Sequence, residues 1–277
     1  MKDFGGKLAV ITGGGSGMGR ELSRQLVAEG CDVAMCDVLV DNMLETKTLC
    51  EAQANQGRVI STHVCDISDA AAVNRFRDEV VEAHKADHID LLFNNAGVGG
   101  GASFVNGDRD AWERTFNICW FGVYNCARAF MPLLVASEDS HLINTSSVNG
   151  FWGSLGPQSA HSAYSAAKFA VKGFSEALVT DFRNNAPHVK VSVVMPGHIG
   201  TSIALNANRI LSGRYDEDMT DAELGETRKR WVEMGLLTEE MTNDQVRAAI
   251  EAMGTGFRDN APTTAAEAAT IILDGVR

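Results

Sequence analysis

Short runs rich in β-branched residues alternate with longer amphipathic stretches between residues 8 and 194. This alternation predicts parallel strands joined by crossover helices, because each helix has to return the chain to the same edge of the sheet. We therefore expect an α/β fold with a Rossmann-like, doubly wound parallel sheet that carries helices on both faces. No linker, repeat or low-complexity tract interrupts the pattern, so a single domain is expected over residues 1–277.

The positions of the elements follow from residue type and hydrophobic period. Strands are expected at residues 8–11, 32–36, 58–64, 91–93, 140–144 and 190–194. Helices are expected at residues 17–29, 41–55, 69–85, 110–135 and 162–183. From residue 201 to about residue 262 the pattern changes to short charged helices, including 221–236 and 243–253, which predicts a helical lid.

Composition and charge limit the partners of the protein. The 277-residue chain is 45% hydrophobic, which is sufficient for a large core. Its net charge of −12 predicts a surface that repels nucleic acid and anionic membranes. The N-terminal residues are too polar for a signal peptide, and no apolar stretch is expected to approach the ~20 residues of a membrane span. We expect a cytoplasmic protein that acts on small molecules.

The six cysteines show no C-x-x-C spacing and lie in apolar surroundings. This pattern is typical of reduced core thiols rather than of a disulfide framework or a zinc site. No metal site is therefore expected.

The first predicted strand leads into a glycine-rich turn, Thr12-Gly13-Gly14-Gly15-Ser16-Gly17-Met18-Gly19, that opens the first helix. Without side chains the backbone can approach a pyrophosphate, and the free N–H groups of a helix N-terminus favour an anion. Such a turn alone is equally typical of a structural turn or of a methyltransferase loop. Its place between strand and helix favours a nucleotide site, whose binding residues would be Gly13, Ser16, Gly17, Met18 and Gly19.

Asp37 ends the second predicted strand. There a carboxylate can accept both hydrogen bonds of an adenosine ribose diol, and it would repel a 2′-phosphate. The neighbouring Ser16 and Val38 offer no basic group for that phosphate, so NAD is favoured over NADP. The alternative is an ordinary aspartate at a strand end.

Asp66, followed by Ile67, comes directly after the third predicted strand. Its carboxylate can accept a hydrogen bond from the amino group of adenine. Equally, Asp66 or Ser68 can cap the helix that follows.

Tyr164 and Lys168 lie four residues apart in a proline-free stretch that is predicted to be helical. Positions i and i+4 share one face of a helix, so the phenol and the ammonium group would lie side by side. A nearby cation favours phenolate over phenol, which suits a group that passes protons. By itself, Tyr-x-x-x-Lys also occurs by chance in many helices.

Three further motifs stand beside these, namely Asn94-Asn95-Ala96-Gly97, Ser146-Ser147 and Pro196-Gly197. In their order and rough spacing the motifs resemble those of the classical short-chain dehydrogenases/reductases, over roughly residues 4–201. The resemblance implies an NAD(H)-dependent oxidoreductase that transfers a hydride between nicotinamide and a secondary alcohol or ketone.

The resemblance also implies catalytic roles. Ser147 would donate a hydrogen bond to the substrate oxygen, with Ser146 as the alternative if the register is shifted by one. Tyr164 would act as general acid or base, and Lys168 would assist it and bind the nicotinamide ribose. Asn117 would hold a water that links the lysine to solvent.

Further cofactor contacts are implied after the fourth and sixth strands. The motif from Asn94 to Gly97 would support the sheet and line the adenosine ribose. The backbone of Ile199 and the hydroxyl of Thr201 would clamp the nicotinamide carboxamide. His161 and His198 are candidates for the pocket wall rather than for proton transfer. The expected cofactor-binding residues are Gly13, Ser16, Gly17, Met18, Gly19, Asp37, Asp66, Ile67, Asn94, Ala96, Gly97, Tyr164, Lys168, Pro196, Gly197, Ile199 and Thr201.

The chain departs from the family pattern in two places. Ser147 and Tyr164 are further apart than is common, which predicts a short insertion at residues 154–160 beside the pocket. After the expected helix at residues 264–273 the given sequence stops before the seventh strand that the family usually adds, so either that strand is absent or the sequence is cut short.

The sequence leaves the substrate and the assembly open. Apolar residues of the lid and the pair Phe151-Trp152 favour a bulky steroid-, terpenoid- or lipid-like alcohol, although they equally suit simple packing of the lid. The lid residues concerned are Met219, Leu224, Trp231, Met234, Leu236 and Leu237.

By analogy with the family, helices 110–135 and 162–183 would form a homodimer or homotetramer. The alternatives to an enzyme are a catalytically silent dinucleotide-sensing protein on the same fold and a methyltransferase.

Overall fold

The protein forms a six-stranded parallel sheet with helices on both faces, as the sequence predicts. The computed structural model describes residues 1–54, 57–100, 103–154, 161–215 and 217–277. The strand order is β3-β2-β1-β4-β5-β6, and every neighbouring pair is parallel. These strands are β1 (Leu8–Thr12), β2 (Asp32–Asp37), β3 (Ile60–Val64), β4 (Leu91–Asn94), β5 (Ser140–Thr145) and β6 (Val189–Val194).

Helices connect the strands and cover the sheet. The predicted helix at residues 110–135 is interrupted by one π-helical turn, Asn117–Phe121. The prediction for the second helix ran to residue 55, which lies outside the described residues, and the helix ends at Glu51. The helices of the body are α1 (Gly17–Ala28), α2 (Val40–Glu51), α3 (Ala70–His84), α4 (Arg109–Phe116), α5 (Gly122–Ala136) and α6 (Ser162–Asn185).

The sheet is buried on both faces, and β1 shows why. Its five residues are all buried, with Leu8 and Val10 directed to one face and Ala9 and Ile11 to the other. The first face packs against α3, α5 and α6, and the second against α1 and α2. A strand covered on both sides reads as a continuous apolar run, which is how β1 appears in the sequence.

Residues 201–262 form a helical segment, as expected. It contains α7 (Ile203–Ser212), which the sequence analysis missed, α8 (Asp221–Glu233) and α9 (Asn243–Asp259). Gly235, with a φ of 72°, follows the end of α8, so this helix stops before the predicted residue 236.

A two-stranded parallel ladder ties the helical segment to the body. β7 (Ile199–Gly200) precedes the segment and pairs with β8 (Thr263–Thr264), which follows it. The final helix α10 (Ala265–Val276) then returns to the body, where it packs with α1 in the core. Both ends of the lid are therefore held at one place.

One expectation about apolar stretches is wrong. The helical run Arg109–Ala136 contains an 18-residue segment with a mean hydropathy of 1.4, so its length and composition would allow it to cross a membrane. Half of that segment is buried inside the protein. Val123, Cys126 and Phe130 of α5 belong to the core, which accounts for the apolar composition.

Candidate active site

A cleft lies at the carboxyl ends of the strands, beside the point between β1 and β4 where the strand order reverses. It spans about 840 Å³ of empty space, part of which is open to solvent. Ligands of doubly wound sheets bind at this location. The predicted residues that line it are Gly13, Ser16, Gly17, Met18, Asp37, Asp66, Ile67, Ala96, Gly97 and Thr201.

The sequence analysis also missed part of the cleft wall. Ile203, Asn206 and Ile210 of α7 line it from above, and Arg114 and Ile118 line it from the α4–α5 run. Helix α7 does carry end signals, with Ser202 at its N-cap and Gly213, whose φ is 69°, at its C-cap, and these were not recognised in the sequence.

The glycine-rich turn adopts a conformation that side chains would prevent. Gly13 and Gly17 have φ values of 69° and 54°, in the left-handed region. A Cβ on Gly13 would lie 2.8 Å from the backbone Cα of Ala96, and one on Gly19 would overlap the carbonyl of Gly13. Gly19 lies outside the cleft lining and permits close backbone packing instead. The turn therefore leaves a cradle without side chains, and this cradle fits a pyrophosphate.

We expect Gly13→Ala to lower the free energy of unfolding by about 2 kcal/mol or more, because it combines a left-handed backbone with a backbone clash. Thermal unfolding measures the change. The matched control is Gly173→Ala in α6, where an added Cβ meets nothing within 4 Å and helix propensity should add about 0.5–1 kcal/mol. Equal stabilities for the two variants would contradict the assigned backbone of the turn.

Asp37 lies at the end of β2 and is held in place by the backbone. Its Oδ2 accepts a hydrogen bond from Gly15 N at 2.9 Å, and its Oδ1 accepts one from Leu39 N at 3.0 Å. Burial raises the pKa of the Asp37 carboxyl, and the amides of Leu39 and Gly15 oppose that rise. The carboxylate thus faces the cleft in a fixed orientation.

A cation that the sequence analysis overlooked lies behind the turn. Arg20 donates to the carbonyl of Gly15 at 2.8 Å and pairs with Glu45 at 2.6 Å. Arg20 is not among the residues that line the cleft. The guanidinium group of Arg20 therefore holds the turn against α2.

Asp66 follows β3 and does not cap the next helix. Asp69 is the N-cap of α3, where its side chain accepts from Ala71 N. Asp66 instead accepts hydrogen bonds from the backbone and the hydroxyl of Ser68. The capping alternative is therefore wrong for both Asp66 and Ser68, and Asp66 and Ile67 line the cleft.

The asparagine motif after β4 divides between the sheet and the cleft. Asn94 is buried, and its amide donates to Asn144 Oδ1 at 2.9 Å, which ties β4 to β5. Asn95 N and Ala96 N donate to the hydroxyl of Thr12 at 3.1 and 3.0 Å. The structure therefore places Asn94 below the cleft, with Asn95 and Ala96 in its wall.

Tyr164 and Lys168 lie side by side on α6. Lys168 Nζ is 5.5 Å from the centre of the Tyr164 ring. The lysine is buried, with 3% of its surface exposed, and its Nζ donates to the carbonyl of Thr145 at 2.8 Å. The Tyr164 ring packs against a cluster that includes Val98 and Ile118, and these two residues also line the cleft. Neither Tyr164 nor Lys168 lines the cleft itself, and the pair adjoins it through Val98 and Ile118.

The two serines after β5 are not equivalent. Ser146 Oγ donates to the carbonyl of Lys168 at 2.7 Å, so its hydroxyl is used to hold α6. Ser147 Oγ accepts a hydrogen bond from Asn149 N at 3.2 Å. Among the residues that the structure describes, its own proton has only a 3.5 Å contact, to Asn149 Oδ1. Ser147 is therefore the better candidate to donate to a ligand.

Asn117 begins the π-helical turn between α4 and α5. Such turns are rare and frequently occur at functional sites. In this turn, Cys119 Sγ contacts the carbonyl of Val98 at 3.5 Å and Ile118 faces the cleft. Asn117 therefore opens a turn that packs against α6 and lies beside Gly97, where an added Cβ would be 3.9 Å from Cys119 Sγ.

Beyond β6, the predicted clamp residues connect the cleft to the lid. Pro196 O accepts from Val148 N at 2.9 Å, and Ile199 pairs with Thr263. Thr201 lies against the glycine-rich turn, where a Cβ on Gly17 would be 3.0 Å from its side chain. Of the four predicted residues, only Thr201 lines the cleft, whereas Pro196, Gly197 and Ile199 do not.

The two histidines are tied to neighbouring backbone. His161 Nδ1 lies 3.0 Å from the carbonyl of Gly100, and its ring is 6.4 Å from that of Tyr164. His198 Nε2 lies 2.6 Å from the carbonyl of Phe257 in α9. His198 thereby connects the loop after β6 to the lid.

The residues proposed to contact substrate are only partly available for it. Leu224 and Trp231 are buried and pack the lid. Phe151 and Trp152 are 55% and 67% exposed, and their neighbours at residues 155–160 lie outside the described residues. Most of the predicted insertion at residues 154–160 therefore lies outside the described residues.

These features define a class of protein. Dinucleotide-dependent oxidoreductases typically have a pyrophosphate cradle, a carboxylate after β2 and a tyrosine–lysine pair at the carboxyl edge of the sheet. The chain belongs to the short-chain dehydrogenase/reductase family. The family profile described as short chain dehydrogenase matches residues 7–210. This membership removes the methyltransferase alternative.

Relatives and solved structures agree with this assignment. SadH of Mycobacterium tuberculosis, which is named as an oxidoreductase, is 37% identical over 75% of this chain and 72% of its own length. Meso-2,3-butanediol dehydrogenase of Serratia marcescens is 32% identical over 77% of this chain and 80% of its own length.

A short-chain dehydrogenase/reductase from Burkholderia phymatum in complex with NAD is 30% identical, with a TM-score of 0.76, and the match covers 100% of this chain and 87% of that one. An alcohol dehydrogenase from the archaeon Thermococcus sibiricus complexed with 5-hydroxy-NADP is 26% identical, with a TM-score of 0.60, over 70% and 77% of the two chains.

Proposed function

We propose that this oxidoreductase is an NAD-dependent dehydrogenase/reductase that interconverts a secondary alcohol and a ketone. The observation that carries the proposal is the 5.5 Å approach of Lys168 Nζ to the Tyr164 ring. This pair adjoins a cleft whose other end carries Asp37. When bound, the dinucleotide would supply or accept the hydride.

The residues of this chain would position the reactants and handle the proton. Tyr164 would exchange a proton with the reacting oxygen as general acid or base. Ser147 would donate a hydrogen bond to the same oxygen and stabilise the charge that develops there. The buried Lys168 side chain would assist Tyr164 in the proton transfer, and Asn117 would connect the lysine to solvent through a water.

Charge supports NAD over NADP. Asp37 lines the cleft, and a 2′-phosphate placed beside it would meet a carboxylate. The Arg20 side chain is already paired with Glu45 and with the carbonyl of Gly15. It is therefore not free to neutralise that phosphate.

Exposed aromatic surface supports a sizeable apolar substrate. Phe151 and Trp152 follow the Ser147 motif, and Phe104, which is 78% exposed, lies near the start of α4. The relative named for meso-2,3-butanediol points instead to a small diol. Oxidation of secondary alcohols of graded size with NAD distinguishes the two, and we expect kcat/KM to rise with apolar size. A preference for small diols would contradict the proposed substrate class.

The same assay separates an enzyme from a dinucleotide sensor. A sensor would bind NADH but turn over none of the alcohols or the corresponding ketones. The hydroxyl of Ser147 and the buried ammonium of Lys168 support turnover, because binding alone does not require groups at a reacting oxygen.

We also propose that the protein assembles as a homodimer or homotetramer through α5 and α6. Phe121, at the start of α5, is 43% exposed and Phe169 of α6 is 45% exposed. We expect light scattering to give a multiple of the 29.7 kDa chain mass, and Phe121→Asp to lower it because a buried charge is costly. Phe104→Asp is the control outside these helices. A monomeric wild-type protein would refute the assembly.

A further inference from the structure

The carboxylate of Asp66 has no free acceptor position. Its Oδ1 accepts from Ser68 N at 3.0 Å and from Ser68 Oγ at 2.6 Å. Its Oδ2 accepts from Arg114 Nη2 at 2.7 Å and from the Tyr215 hydroxyl at 3.4 Å. A carboxylate offers about four lone-pair positions. All of them are therefore used by groups of this chain.

The two donors to Asp66 Oδ2 come from different parts of the protein, one from the body and one from the lid. Arg114 belongs to α4, lines the cleft and also donates to Ser68 Oγ at 2.9 Å and to Tyr215 at 3.0 Å. Tyr215 follows α7 at the edge of the lid. The phenol thus closes a ring with Asp66 and Arg114 and connects the lid to the floor of the cleft.

The charge state of the Asp66 carboxylate favours hydrogen-bond donors as its partners. Burial alone would raise the pKa of Asp66, but the hydrogen bonds from Ser68 and Arg114 lower the pKa overall. Asp66 is therefore a carboxylate at neutral pH and accepts hydrogen bonds only. An exocyclic amino group of a bound base would have to replace one of the present donors.

We propose that the Tyr215 hydroxyl competes with the amino group of adenine for Oδ2 of Asp66, so that the lid partly blocks its own nucleotide site. The inference rests on the proposed dinucleotide function. Tyr215 is the donor that gives way, because its contact is the longest and is made by a neutral group. The bonds from Arg114 and Ser68 are shorter, and the one from Arg114 is strengthened by its charge.

Removal of the competing hydroxyl should tighten binding of the base. For Tyr215→Phe we expect the Kd for NADH to fall about twofold to tenfold, the range of a single hydrogen bond. The Kd is measured by quenching of tryptophan fluorescence, which does not depend on turnover. Tyr124→Phe is the matched control, because it removes the same hydroxyl from a residue of α5 that does not line the cleft.

The ligand control is reduced nicotinamide hypoxanthine dinucleotide, whose base carries an oxo acceptor in place of the amino donor. Tyr215→Phe should not tighten binding of this ligand, since it has no amino group to place on Asp66. An unchanged or weaker affinity for NADH would overturn the competition. Equal tightening of both ligands would also overturn it, because it would indicate a general opening of the lid. Failure of the wild-type protein to bind either ligand would refute the proposed function itself.

Discussion

Replacement of Tyr164 by phenylalanine is expected to lower turnover by about 100-fold or more and to leave NADH binding nearly intact. The size of the loss is that of removing a general acid or base from a reacting oxygen. Steady-state assays with an alcohol substrate give the loss in kcat, and fluorescence quenching gives the Kd for NADH.

The packing around Tyr164 explains why the two measurements should separate. The ring contacts the Val98 and Ile118 cluster through its carbon atoms, and phenylalanine keeps those contacts. Lys168 remains anchored by its bond to the carbonyl of Thr145. Only the hydroxyl is lost, so the cleft should keep its shape.

Tyr124→Phe again serves as the control. The ring of Tyr124 lies on α5, so this substitution should leave kcat unchanged. Undiminished turnover in Tyr164→Phe would remove this phenol from the chemistry. A large loss of NADH affinity would instead show that Tyr164 acts mainly in binding.

The sequence predicts the centre of the sheet well because β1, β2 and β4 are largely buried, mostly apolar runs bounded by turns. It also predicts those cleft residues that are defined by their own backbone, such as Gly13, or by the end of a strand, such as Asp37. Both kinds of residue carry a local signal. Helix boundaries are less certain, as α9 shows by continuing six residues past the predicted residue 253 to Asp259.

Features that depend on distant contacts could not be predicted in this way. The π-helical turn at residues 117–121 carries no glycine or proline that would mark it. Arg114 and Tyr215 are far apart in the chain, so nothing local indicates that they meet at Asp66. The resemblance to a family located Asn94 in sequence, but its burial between β4 and β5 depends on Asn144.

The second large effect is expected from Asp37→Ala, which should shift the preference between the two dinucleotides by about 100-fold. Loss of a charged acceptor for the ribose diol costs about 1.5–3 kcal/mol per hydrogen bond and weakens NADH binding. Removal of the negative charge at the same time ends its repulsion of a 2′-phosphate and favours NADPH. The ratio of the two Kd values measures both effects together.

A companion variant separates charge from shape. In the present structure Asp37 accepts bonds from Gly15 N and Leu39 N, and alanine leaves both amides without this partner. Asp37→Asn keeps an acceptor oxygen but removes the charge, so it should recover part of the stability while still relaxing the discrimination. Asp32→Ala at the other end of β2 is the control, because Asp32 contacts Val59 N and Arg58. If Asp37→Ala changed thermal stability but not the ratio of the Kd values for NADH and NADPH, Asp37 would support the turn and would not be the residue that recognises the ribose.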